Sequence, residues 1–482
     1  MTVNYKFGTE PYEHQHVALD RSMDHKQYGF FMEMGTGKSK VLIDTIVNLY
    51  LRGEVNFALI VAPKGVYRNW VTKEIPEHFP SDVPHRIISW VASPSKKQQA
   101  EMKSVAKAFA GVTLFVMNIE AFSHPKGRNA GEWLGKNLGQ HGLIAVDEST
   151  MIKNHSAKRT KALIKASRAF QYRRILTGSP ITRAPMDIYS QAEFLGHKLL
   201  GFDSFYAFRG RYAIIKRRVM GQHSFDEVVG YRNLDELSEI INRFSYRVLK
   251  KDCLDLPDKV YTKRYVVLTP EQKQLYKDLK EDAYLMLDDG YTTTPIVLTQ
   301  LIRLQQILSG HLPFDDGGVK YFDSGKMNAL LQVLEETDGK VIIWSRFRYD
   351  IQEIVKALQK LYGPDSAASY YGDTSTEERT RVVEAFQDPD NPLRFFVGNP
   401  ATAGYGITLT AAHSVVYYAN SFDLEHRIQS EDRCHRIGQK NAVTYVDLIA
   451  EGTIDEKIVD ALRNKIDLSA KTLGELAREW LK

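Results

Sequence analysis

Short apolar runs that stop at polar residues recur along this chain, with helix-patterned stretches between them. "YGFFMEM" (28–34) is followed by a glycine turn and then by "KSKVLIDTIVNLYL" (38–51), whose spacing predicts a helix. "FALIVAP" (57–63), "GLIAVDEST" (142–150) and "YRRILTGSP" (172–180) repeat the motif of an apolar run with a polar end. Runs without polar alternation belong to strands buried on both faces, so the pattern predicts an open, mostly parallel α/β sheet. Ligand groups in such a sheet gather beyond the carboxyl ends of the strands. The character changes over 186–320, where "SEIINRFSYRVLKKDCLDLPDK" (238–259) and "TPEQKQLYKDLKEDAYLML" (269–287) favour helices, with Leu275, Leu279 and Ala283 at four-residue steps. A second strand series follows in "GKVIIWSR" (339–346), "AASYYGD" (367–373), "RFFVGNP" (394–400) and "SVVYYAN" (414–420). The expected fold is therefore α/β, with two parallel-sheet lobes and helical protrusions between and beside them. Residues 1–245 form the first lobe, with a helical protrusion near 190–245. Residues 246–482 form the second, with a helical insertion near 265–320.

Composition changes this picture little. The 482 residues are 43% hydrophobic and 26% charged, which describes a folded soluble chain and not a disordered one. The 64 Lys+Arg outnumber the 59 Asp+Glu by five, a weak bias toward an acidic partner. Locally the bias is stronger. Residues 153–174 carry Lys153, Lys158, Arg159, Lys161, Lys165, Arg168, Arg173 and Arg174 without an acid, and 209–218 add Arg209, Arg211, Lys216, Arg217 and Arg218. Patches of this kind suit a sequence-independent phosphate track whose affinity falls with salt; the bland alternative is a solvated helix face. The two cysteines, Cys253 and Cys434, argue against a disulfide scaffold or a cysteine-built zinc site, and a reducing compartment is expected. No apolar run reaches membrane-spanning length, so no membrane partner is expected.

Candidate chemistry sits at two of the strand ends. "EMGTGKS" (33–39) offers Gly35, Thr36, Gly37, Lys38 and Ser39. Glycines let successive backbone N–H groups face an anion, the helix start adds favourable partial charge, lysine reaches phosphate oxygens and the serine hydroxyl can join a Mg²⁺ shell. The full GxxxxGK[ST] pattern departs at its first glycine, where Met32 stands. "LIAVDES" (143–149) ends a run in Asp147 and Glu148. One carboxylate can hold Mg²⁺ while its neighbour polarises an attacking water, the two tasks that phosphoryl transfer to water requires.

These segments, with "LIVAPKGVYRNW", "VDESTMIKN", "LTGSP", "NPATAGYGITLTAAHSVVYY" and "QSEDRCHRIGQ", resemble in order and spacing the motifs of superfamily-two helicase-type ATPases, most closely the Swi/Snf branch of double-stranded DNA translocases. The resemblance runs from about residue 10 to residue 460. It implies two RecA-like lobes, ATP and Mg²⁺ as cofactors, and duplex DNA held by backbone contacts. It assigns adenine recognition to Gln15, phosphate binding to Lys38, Mg²⁺ to Asp147 with Ser39, and water activation to Glu148. Arg433 and Arg436 match the arginines that complete the family's ATP site when its lobes close; on one helix, i and i+3 would share a face. Coupling of nucleotide to DNA falls to Thr177, Gly178 and Ser179, to Gly404 and Gly406, and to Gln429. Contacts to DNA fall to Lys64, Lys153, Lys158, Arg159, Thr374 and Ser375. Trp70 reads as core packing, and Arg247 and Lys250 as structural or DNA-proximal. After the acidic pair the family places alanine and histidine; this chain has Ser149 and Thr150.

The expected activity is DNA-stimulated ATP hydrolysis driving translocation along duplex DNA, in repair, recombination, replication or protein displacement. Two alternatives stay open: a strand-separating or branch-remodelling (annealing) helicase acting on forked DNA, and a nucleic-acid-dependent interaction module with weak catalysis. With no chromatin-reading addition in the sequence, a cytoplasmic setting in a bacterium or a virus-infected cell is expected ahead of a nuclear one.

Overall fold

The computed structural model describes residues 5–473 apart from 65, 221–222, 289–293, 315–316, 373 and 404–406. Gly404 and Gly406 therefore lie outside the described residues. The chain divides into two compact units, the first built mainly on residues up to Ile215, Val228–Asp255 and a stretch beginning at Leu468, the second mainly on Lys216–Glu227 and Leu256–Asp467.

In the first unit, α1 (Glu13–Met23) precedes β1 (Gln27–Met32), and α2 (Lys38–Leu51) follows it. Then come β2 (Phe57–Ala62), β3 (His85–Ser89), β4 (Val112–Asn118), β5 (Gly142–Asp147) and β6 (Tyr172–Leu176). A two-stranded hairpin of β7 (Ala213–Met220) and β8 (His223–Tyr231), whose Lys216–Glu227 portion is counted with the second unit, precedes β9 (Ser245–Val248). The seven-stranded sheet runs β3-β4-β2-β5-β6-β1-β9, with parallel pairings throughout. Its strands are buried on both faces: Phe57, Leu59 and Val61 of β2 enter one core, while Ala58, Ile60 and Ala62 enter the other. This two-sided burial is why the runs lack polar alternation.

The stretch expected to be a helical protrusion is mixed. The helices Phe205–Tyr212 and Leu234–Asn242 flank the hairpin. Ile214, Ile215, Val219, Val228 and Val229 explain the strands, because β-branched side chains favour extended backbone. Ser245–Val248, expected to be helical, instead extends the sheet beside β1, with Gly29 opposite Ser245 and Met32 opposite Val248. The first unit's sheet therefore continues past residue 245.

The second unit contains β10 (Lys259–Val266), a small pair of β11 (His311–Pro313) and β12 (Val319–Tyr321), then β13 (Lys340–Ser345), β14 (Ala367–Tyr370), β15 (Phe395–Gly398), β16 (Ala412–Ala419) and β17 (Val443–Ala450). Its six-stranded parallel sheet runs β10-β17-β16-β13-β15-β14. Val341 and Ile343 of β13 face one core, Ile342 and Trp344 the other. The long helices Pro270–Asp288 and Thr294–Ser309 supply the expected helical insertion.

Candidate active site

The order β5-β6-β1-β9 sets four strand ends side by side, and the glycine–lysine loop, the acidic pair and Thr177–Ser179 lie at those ends, whereas Gln15 is on α1 and Lys64 follows β2. After β1 the chain turns through Gly35 and Gly37, both in left-handed backbone at φ 85° and 84°, which glycine adopts without steric cost. Thr36 Oγ1 and Thr36 N donate to the Glu33 carbonyl at 2.7 and 3.2 Å, closing the loop. The buried Lys38 donates to the same carbonyl at 3.4 Å. Helix α1 lies against this loop. Gln15 Nε2 and His14 Nε2 donate to the Thr36 carbonyl at 3.1 and 2.8 Å, and Gln15 Oε1 accepts from Tyr12 N at 3.0 Å. A Cβ on Gly37 would stand 2.0 Å from Gln15 Nε2 and would displace that amide, while φ itself favours glycine there.

At the end of β5 the Asp147 carboxylate is held at both oxygens. Oδ1 accepts from Glu148 N at 3.0 Å, and Oδ2 accepts from the indole of Trp70 at 3.0 Å. Trp70 is fully buried and opens a π-helical turn, Trp70–Glu74, a local widening that recurs at functional sites. Burial pushes the Asp147 carboxyl above the usual carboxylate range, against the pull of the Lys38 ammonium and the Trp70 hydrogen bond. Glu74, at the other end of the turn, is also raised by burial; a hydrogen bond with Ser39 opposes the shift and the Asp147 charge adds to it. Glu148 sits in left-handed backbone (φ 50°, ψ 58°), a strained position for a residue with a Cβ. The buried Asp147 carboxylate and the half-buried Glu74 carboxylate, beside the Ser39 hydroxyl, are hard oxygen donors of the kind that suits Mg²⁺.

The segment after β6 is locked to the phosphate loop. Ser179 N donates to Thr177 Oγ1 at 3.1 Å. Gly178 backs onto the end of β1, where a Cβ would stand 3.2 Å from Met34 N. Arg247, on β9, donates through Nη1 to both Phe31 O (3.1 Å) and Gly178 O (2.8 Å). Lys250 N donates to the Glu33 carboxylate at 2.7 Å. Trp70, Glu74 and Arg247 are thus site residues whose role sequence reading did not find; the signal available was a tryptophan and an acid four residues apart after an apolar run.

In the second unit, Arg433 is buried on the helix Leu424–Cys434, but that helix ends before Arg436. The shared-face expectation is therefore corrected: the two guanidiniums converge because both donate through Nη1 to the Ile407 carbonyl, at 3.2 and 3.3 Å. Gln439 Nε2 donates to Ala412 O (2.8 Å) and Thr410 O (3.2 Å), holding the turn beyond. Gln429 is buried, with Nε2 3.4 Å from Glu425 Oε1. Thr374 Oγ1 accepts from Tyr371 N at 3.3 Å, and Ser375 caps the helix Thr376–Gln387 by accepting from Glu378 N at 3.2 Å.

The basic patches divide. Lys64 is exposed, its backbone N–H donating to the Glu120 carboxylate at 3.3 and 3.2 Å. Lys158 is exposed and Arg159 half-buried at the start of the helix Lys158–Ser167, while Lys153 Nζ donates to Thr182 Oγ1 at 2.8 Å. Arg174 leaves the track altogether. It is fully buried and donates to the carbonyls of Ser22 (3.0 Å), His25 (2.9 Å), Lys26 (3.1 Å) and Arg173 (2.9 Å), fixing the end of α1. Arg173 donates to Leu195 O at 2.8 Å. Arg211 pairs with Glu236, and Arg218 with Glu227 at 2.6 Å.

Comparison with known proteins adds the following. A chain from Mycoplasma pneumoniae named "Uncharacterized ATP-dependent helicase" is 26% identical over 474 residues, covering 96% of this chain and 42% of that protein. A Caenorhabditis elegans homologue of "SWI/SNF-related matrix-associated actin-dependent regulator of chromatin subfamily A-like protein 1" is 30% identical over 339 residues, covering 67% of this chain and 45% of its own. This chain spans about two fifths of the length of the curated relatives it matches. The solved structure "Sulfolobus solfataricus SWI2/SNF2 ATPase core in complex with dsDNA" aligns at 24% identity over 98% of this chain and 96% of that one, with a TM-score of 0.44. The helicase conserved C-terminal domain profile matches residues 325–438. The profile of the SNF2-related domain matches residues 12–311, well over half of the chain, and the protein belongs to that family.

Proposed function

We propose that this chain hydrolyses ATP when duplex DNA binds and uses the cycle to move along the duplex without obligatory strand separation. One observation carries the reading. A glycine–lysine loop after β1 and an acidic pair after β5 stand on strand ends separated only by β6, and the β6 segment is hydrogen-bonded to the β1 end through Arg247. Lys38 and the loop N–H groups hold the triphosphate, and Gln15 reads the adenine edge. Asp147, with Ser39, holds Mg²⁺, which when bound neutralises charge on the transferred phosphoryl group. Glu148 accepts the proton of the attacking water. Arg433 and Arg436 bring permanent, planar positive charge to the same group. Lys64, Lys153, Lys158, Arg159, Thr374 and Ser375 contact the sugar–phosphate backbone, and forked DNA is a further substrate of the same grip.

The test compares ATP turnover with duplex, single-stranded and forked DNA and with RNA, and follows triplex displacement as the measure of movement. Duplex should stimulate most, and a triplex strand should be displaced. Glu148→Gln should bind ATP normally and lose turnover by about 10²- to 10⁴-fold. Purified protein that hydrolyses no ATP with any of these nucleic acids overturns the reading; strong unwinding of simple duplex would replace translocation by strand separation.

A further inference from the structure

Ser149 and Gln191 are both fully buried, and their side chains are joined. Ser149 Oγ donates to Gln191 Oε1 at 2.6 Å. Gln191 Nε2 donates in turn to Pro180 O at 2.7 Å and to Asp187 O at 2.9 Å. The amide thus uses its acceptor toward the residue after the acidic pair, and both its N–H bonds toward the segment after β6. The bridge spans 42 residues on one side and 11 on the other. Beyond it the polar contacts continue. Asp187 Oδ2 accepts from Thr182 N (3.0 Å) and Arg183 N (2.7 Å), and Thr182 Oγ1 accepts from Lys153 Nζ (2.8 Å).

Thr177 and Ser179, where the resemblance places the relay, bond to each other within one turn at 3.1 Å. Ser149, in the acidic-pair loop, reaches Gln191 by its side chain. We propose that Gln191, through Ser149, is the positioning residue that carries nucleotide state from the Asp147–Glu148 loop to the 180–187 loop. The physical reason is local. Ser149 directly follows Glu148, whose backbone is left-handed, and its hydroxyl is bonded to Gln191. A planar amide with all three contacts made in a dry interior cannot give up one of them cheaply, and so it moves as a body with both loops.

This inference rests on the ATPase reading above, and the experiment separates the two. Ser149→Ala, Gln191→Met and the double variant are assayed for ATP turnover with and without duplex DNA, and for hydrogen exchange of residues 176–187 with and without a non-hydrolysable ATP analogue. DNA-free turnover and the KM for ATP should stay within about twofold, while DNA-stimulated kcat falls about tenfold. The double variant should match the stronger single one, as expected of two residues acting through one contact. Equal loss of basal and stimulated rates, multiplicative losses or no loss in either variant overturns the proposal. Wild-type protein without turnover on any nucleic acid removes the function and leaves exchange to decide. Analogue-induced protection that disappears in Gln191→Met and Ser149→Ala then sustains the relay, and protection unchanged or absent in wild type overturns it.

Discussion

The indole N–H of Trp70 donates to Oδ2 of Asp147 at 3.0 Å, and both side chains are buried. The aromatic ring therefore packs the core and also aims the carboxylate. Trp70→Phe keeps the ring and removes the N–H. Groups that orient metal ligands in this way are worth about 10- to 100-fold in metal affinity or activity. The Mg²⁺ concentration for half-maximal turnover should rise by about that factor, with ATP-analogue binding in excess Mg²⁺ little changed. A Mg²⁺ titration that superimposes on wild type would show that Trp70 only fills space.

Glu148 holds its place at a local backbone cost. At φ 50° a Cβ is strained, and release of such strain is worth about 1 kcal/mol. Glu148→Gly should be about 1 kcal/mol more stable than Glu148→Ala, while both lose turnover alike. Thermal unfolding of the two variants checks the first point and steady-state hydrolysis the second.

His311 and Asp350 form a buried pair in the second unit, 3.4 Å apart, and burial makes it a neutral one. Burial pushes the Asp350 carboxyl up to about 7 and drops the His311 imidazole to about 4. Between about pH 4 and 6.5 the folded pair holds one proton, on Asp350, and the unfolded chain also holds one, on His311. Equal proton counts give zero slope, so the wild-type pair adds almost no pH dependence to stability there. Asp350→Asn breaks the balance. His311 keeps a folded pKa below its unfolded value, so its contribution is whole above about pH 6.5 and is lost as pH falls toward 4, by about 2–3 kcal/mol. Thermal unfolding from pH 7 to 4.5 should show a decline in the variant that wild type lacks.

Arg427 is wholly buried and meets Asp447 through Nη1 and Nη2 at 2.6 and 3.0 Å, Glu431 through Nε at 2.8 Å, and the face of Tyr417 at 3.4 Å. The helix carrying Arg433 is therefore fixed from within. Arg427→Met leaves Asp447 without its charged partner, takes from Glu431 one of its two cations, and should cost about 3–5 kcal/mol. Adding Asp447→Asn should recover part of that loss; a double variant as unstable as the sum of its singles would deny the coupling. Opposed by burial but outweighed by Lys259 and Arg427, the Glu431 carboxyl is held down at about 2. Its stabilisation is present above its unfolded pKa of about 4.3 and is lost as pH falls from there toward 2.

The sequence determined the two parallel sheets and the groups that adjoin within a few residues, but not the β7–β8 hairpin or β9. Apolar runs without alternation fixed parallel strands, because a strand covered on both faces has no polar side to show. Two glycines before a lysine, and two acids at a strand end, were legible because each group is contiguous in the chain. Tertiary structure decided the partners. Trp70 reaches Asp147 across 77 residues, and Arg247 reaches Phe31 across 216, distances over which no periodicity or spacing connects one residue to the other. Arg174 looked like surface charge until its carbonyl partners were in place, and Arg433 and Arg436 meet at the Ile407 carbonyl although the helix between them stops short. A hydrogen bond is specified by position in space, and chain order constrains that position only within a turn or two of helix.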